Sequence, residues 1–220
     1  MSAPKTKSRA KARRGRPPLS VFEVEAARTS ILAAAATVYN RTGQDTPVQE
    51  ILEEAQVSRA TFYKLFSSKE ALQKSLLEFS IDLMLGAIED AARAEDDPRD
   101  RVDAAIRTFL DFHAQQPGVY RILLASALHP GTPIHQVRMQ AQERFAALFA
   151  DEVARAGRPP VDPLILHGLV AAIEGVSIHI LRGGGTVDEQ MLERARAVLV
   201  RLIAATLAEN EDPVPPLPRP

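Results

Sequence analysis

Arg59, Thr61, Tyr63 and Lys64 crowd into residues 59–64, with the small Ala60 among them. Their side chains can donate to base edges and phosphates, and Ala60 permits close approach to a duplex. A short helix beginning after Ser58 would expose these groups and turn Phe62, Leu65 and Phe66 inward. Lys69 falls in the first turn of the next helix, where a cation opposes the helix dipole by a few tenths of a kcal/mol. Sharing a phosphate with that helix N-terminus would offset the cost. No comparable reactive set exists elsewhere. The chain has no Cys, hence no thiol nucleophile and no thiolate metal site. It carries no P-loop, no Gly-rich dinucleotide turn, no nucleophile elbow and no acid pair. Its five histidines lack ligand spacing. The expectation is a protein that is not an enzyme and has no metal and no cofactor.

Capping signals position these donors. Thr46 can cap a helix with Pro47 at its first position and Gln49 bonding back to the cap. Val48, Ile51, Leu52 and Ala55 form its buried face. A turn at Gln56-Val57 leads to Ser58, which caps Arg59 to about Leu65. Ser67 and Glu70 form a Ser-x-x-Glu box that opens a longer helix. Two capped helices joined by a tight turn make a helix-turn-helix, whose second helix enters the major groove.

The segment resembles the DNA-binding domain of TetR-type transcriptional regulators over roughly residues 20–80. The matching residues are Ile31-Leu32-Ala33-Ala34-Ala35, Gly43, Thr46-Pro47-Val48, Ile51, Ala55, Val57-Ser58, Thr61-Phe62-Tyr63, Phe66 and Ser68-Lys69-Glu70-Ala71-Leu72. Gln56 stands where the family usually has Gly, so a left-handed backbone there would cost about 1 kcal/mol. Gln44 replaces a common aromatic. The candidate DNA contacts are Arg14, Arg16, Thr46, Ser58, Arg59, Thr61, Tyr63, Lys64 and Lys69. The resemblance implies a homodimeric regulator, a repressor by family analogy.

Charge is divided unevenly. Residues 1–22 hold seven Lys or Arg and no acid, whereas the other 198 residues hold 20 basic and 28 acidic groups. A basic arm on an acidic body suits a polyanion partner at one end only. Arg13-Arg14-Gly15-Arg16-Pro17 resembles the core of AT-hook peptides. Two readings stand: Arg side chains in a narrow minor groove, or a tail touching phosphates without preference. No apolar run reaches the roughly 18 residues of a membrane span, and no apolar stretch follows the basic N-terminus. A cytoplasmic protein without membrane contact is expected.

Abundant Ala and Leu with few aromatics predict an all-α fold of about nine helices. The division is 1–19, a disordered basic arm; 20–67, a three-helix helix-turn-helix domain; 68–210, a helical effector-binding and dimerisation domain; 211–220, a Pro-rich tail. Ser20 and Glu23 cap a first helix over about 21–42. The fourth runs from about Ser68 to Ala94, the fifth over 99–115, the sixth over 119–127 and the seventh over 133–156. The eighth follows Asp162 and Pro163 and stops at Gly183-Gly184-Gly185. The ninth runs from about Val187 to Glu209.

The last two helices are apolar on more than one face, so each must bury both. Gly168, Ala172 and Gly175 form a small-residue stripe on one; Met191, Ala195, Val198, Leu202 and Ala205 line the other. A homodimer through these helices, with Gly168, Ala172, Gly175, Val198 and Leu202 at the contact, would suit a palindromic operator. The fourth to eighth helices would then enclose an apolar pocket for a small apolar or amphipathic effector. Its candidate lining is Phe109, Phe112, His113, Tyr120, Leu123, Met139, Phe145, Phe149, Glu174 and Ser177. The leading reading is a repressor that this effector releases from its operator. The alternative is an architectural DNA-binding protein without effector.

Overall fold

The computed structural model describes residues 21–42, 46–120, 129–181 and 188–207. Within them the fold is all-helical. The elements are α1 (Val21–Thr42), α2 (Val48–Glu54), α3 (Arg59–Leu65), α4 (Lys69–Arg93), α5 (Pro98–Gln115), α6 (Pro133–Arg155), α7 (Pro163–Leu181) and α8 (Glu189–Leu207). Residues 117–120 are also helical. The basic arm, Ser20, Gly43, Gln44, Leu123, the triple glycine and the Pro-rich tail lie outside the described residues.

Local chemistry explains most helix starts. Asp97, Thr132 and Asp162 each precede a proline and accept a hydrogen bond from a first-turn N–H, of Arg99, His135 and Leu164 respectively. Ser58 does the same for Thr61 at 3.0 Å. α4 departs from the expected cap. Ser68, not Ser67, is its N-cap and accepts from Ala71 N at 3.1 Å. The Glu70 carboxyl is held below its usual range, first by its own backbone N–H and then by the Ser68 hydroxyl.

Two main cores organise the packing. The first gathers Ile31, Val38 and Tyr39 of α1, Ile51 and Leu52 of α2, Phe62 of α3, Leu72 and Leu76 of α4, and Val119. The second gathers Met84 and Ile88 of α4 with Ile106, Phe109 and Leu110 of α5, Leu169 and Ile173 of α7, and Leu199 and Ile203 of α8. Each such side chain contributes about 1.5–3 kcal/mol by leaving water. Among the described residues, α4 is the one helix that supplies buried side chains to both.

α7 corrects the expectation about apolar runs. By length and composition alone it could cross a membrane. His167, Glu174 and Ser177 interrupt the run without lowering its average enough. Here one face of α7 packs against the core through Leu169, Val170 and Ile173, and Glu174 is paired across to α6.

Candidate nucleic-acid interface and ligand cavity

α3 is held from behind by one aromatic. Phe62 is fully buried, and Phe66 packs 5.8 Å from it between ring centres. The opposite face carries Arg59, Ala60, Tyr63 and Lys64, all exposed, with Thr61 half-buried beside them. The Tyr63 ring meets Phe62 edge-on at 5.2 Å, which leaves its hydroxyl pointing from a fixed base. Arg59 donates to Gln49 on α2 at 3.3 Å, and the Ser58 and Thr61 hydroxyls lie 2.9 Å apart. The turn ahead of α3 places Gln56 at φ 53°, the left-handed conformation that glycine would adopt without strain.

Not every expected contact shares this surface. Thr46 is buried, its hydroxyl 2.5 Å from that of Thr42 on α1. That side chain is taken up in the packing between α1 and the start of α2. Lys69 is half-buried at the first position of α4. Arg14 and Arg16 lie outside the described residues.

The second core borders a half-open cavity of about 400 Å³. Phe109, Phe112, Phe145 and Phe149 line it, with His113, Tyr120 and Glu174. Met139 does not: it is exposed, one position past Arg138 and turned outward. Ser177 is buried in α7 and donates to Ile173 O at 2.9 Å, outside the lining. Among the lining residues that escaped the sequence reading are two that bond to Glu174. Arg138 donates twice to Glu174, at 2.7 and 2.6 Å, and Gln142 donates to the same carboxylate at 2.9 Å. Their spacing, with Phe145 and Phe149 beyond, forms one helical stripe (138, 142, 145, 149) that could have revealed them. Arg101 makes a matching pair of 2.8 Å bonds to Glu152, which holds that carboxyl below its usual range.

Burial pushes the His113 imidazole down to about 4, against the raising effects of the Phe109 carbonyl and the Glu174 charge. Burial likewise pushes the Tyr120 hydroxyl well above its ordinary value. The two rings stack edge-on with centres 4.1 Å apart.

A polar recognition helix braced by an apolar three-helix core, next to a helical body, defines a helix-turn-helix DNA-binding protein. Residues 31–76 match the family model described as bacterial regulatory proteins, tetR family, and residues 97–202 match the tetracyclin repressor-like C-terminal domain. The chain belongs to the TetR family: it is a DNA-binding transcriptional regulator and not an enzyme. The transcriptional activator FasR of Mycolicibacterium smegmatis is 32% identical over 97 residues, 44% of this chain and 44% of its own length. The match thus spans less than half of that relative. The nucleoid occlusion factor SlmA of Aliivibrio fischeri is 25% identical over 140 residues, 60% of this chain and 71% of its own. A solved TetR-family regulator from Streptomyces coelicolor shares the fold, with a TM-score of 0.66 at 16% identity over 83% of this chain and 80% of its own.

Proposed function

We propose that this chain is a ligand-responsive repressor, acting in the cytoplasm as a homodimer on a palindromic operator. α3 reads the major groove through Arg59, Thr61, Tyr63 and Lys64, with Ser58 and Lys69 on phosphates and the basic arm adding charge. The observation that carries the effector reading is the position of the cavity. α4 and residues 119–120 line it, yet Leu72, Leu76 and Val119 also lie in the core behind α3. A molecule that spreads the cavity walls therefore acts on the support of the recognition helix.

Dimerisation draws support from the outward faces of α7 and α8, the eighth and ninth helices of the sequence reading. Leu164, Ile165, Met191 and Leu202 are exposed, and a Cβ added at Gly168 or Gly175 would meet nothing within 4 Å. Val198 and Ala172 are half-buried beside them. Ala195, expected on the same face, is buried in the chain's own core instead, because its turn of α8 faces α5. TetR-family regulators usually act as dimers.

The test is to select operators from random duplexes with the full chain. One inverted repeat with half-sites about one helical turn apart supports the reading. Enrichment without any sequence preference would favour the architectural alternative. FasR is named an activator, so a promoter fusion is needed to read the sign of the effect.

A further inference from the structure

The cavity has two unlike ends. His113 and Arg99 both line it, and both belong to α5, about 21 Å apart along the helix axis. Arg138 and Glu152 repeat that separation on α6. Between the ends lie Ile106, Phe109, Phe145, Phe149 and Ile173, so the site is elongated and apolar in its middle.

At the His113 end the charges already cancel. Glu174 engages the Arg138 guanidinium twice and also takes the Gln142 amide. The remaining polar groups there include His113 and the Tyr120 hydroxyl. His113 Nδ1 lies 2.8 Å from the Phe109 carbonyl, 7% of the residue being exposed. A carbonyl oxygen only accepts, so Nδ1 carries the proton. Nε2 of the neutral ring is then a lone-pair acceptor beside the Tyr120 ring.

Resting on the effector reading above, we propose that this end receives the uncharged, hydrogen-bond-donating head of an elongated apolar molecule, a long-chain alcohol or primary amide and not a carboxylate. A hydroxyl can donate to His113 Nε2. A carboxylate would instead confront two acceptors, that lone pair and Glu174, beside a cation that Glu174 already holds. Adding a net charge to an apolar site whose own charges balance carries a desolvation cost, and the cation at this end is one that Glu174 already holds. Carboxylate binding from the other end, beside the exposed Arg99, is a separate mode.

The experiment measures binding of 1-decanol, decyl methyl ether and decanoate to the full chain by calorimetry at pH 7.5. The alcohol should bind at least tenfold tighter than the ether, which lacks the donor. His113→Leu should cut that preference below threefold, and His113→Gln, which keeps an acceptor, should restore most of it. The wild-type ratio decides the matter even where a variant fails to fold. Decanoate that loses affinity in Arg99→Ala but not in His113→Leu agrees with the proposal. Equal binding of alcohol and ether overturns it, as does decanoate binding tighter than the alcohol and depending on His113. Failure of all three to bind overturns the cavity reading together with it.

Discussion

The side-chain oxygen of Asn40 accepts hydrogen bonds from the backbone N–H groups of Gly118 and Val119, at 3.1 and 3.2 Å. Asn40 is in the last turns of α1, and the next residue after Val119 is Tyr120, in the cavity wall. The contact joins the support of the recognition helix to the cavity. It also fixes the residue type. A Cβ on Gly118 would lie 2.8 Å from Asn40 Cα and 2.8 Å from the Tyr39 carbonyl oxygen, backbone atoms that cannot swing aside. Gly118→Ala should destabilise the fold by about 1–3 kcal/mol through overpacking. Asn40→Ala should cost about 1 kcal/mol by leaving two helix-start donors unpaired. Both are read as a lower urea midpoint at unchanged slope.

On α3 the two faces should respond differently. Arg59→Ala should leave folding intact and cost about 1–3 kcal/mol of operator affinity, concentrated at one base position. Tyr63→Phe and Lys69→Ala should weaken binding to all sequences alike. Phe62→Ala should cost about 3–5 kcal/mol of stability, since its ring is fully buried. Thermal melts beside operator titrations separate these outcomes. Equal affinity of wild type and Arg59→Ala for every duplex would remove that residue from the interface.

His113 sets a pH dependence. In the unfolded chain it titrates near 6.5, and in the fold near 4. Between those values the unfolded chain takes up a proton that the folded chain does not. Its contribution is therefore fully present above pH 6.5 and is lost as pH falls toward 4, by at most roughly 3 kcal/mol. His113→Gln should flatten that part of the stability profile measured by urea titration. An unchanged slope in the variant would place the titration elsewhere.

The proposed dimer face gives a third contrast. Gly175→Leu fills open space in the single chain, so it should leave monomer folding intact while pushing two subunits apart. Ala172→Arg should act by burying an unpaired charge at the contact. Sedimentation of both variants should show monomers where the wild type shows dimers.

The sequence made α3 legible because its logic is local. Ser58, the polar outward positions and the inward Phe62 follow from one helix and one cap. Thr46 is buried with its hydroxyl against that of Thr42 at the end of α1, a tertiary contact that capping signals alone do not show. The Ser67 box read from the sequence is one residue out of register with the cap that forms, at Ser68. Met139 is apolar and one residue from the lining, but a single helical step rotates it about 100° away from Arg138. The Arg138–Glu174 pair spans 36 positions on two helices, a separation at which no periodicity can announce a partner. Asn40 and Gly118 are further apart still.

The coupling of cavity to operator is the central claim, and one titration tests it most directly. Fluorescence anisotropy of the selected operator is measured with the full chain, with and without 1-decanol at a concentration that saturates the cavity by calorimetry. Coupling of about 1–3 kcal/mol predicts a change in operator affinity of roughly 5–150-fold. An operator affinity that stays the same while the cavity is full would contradict the account.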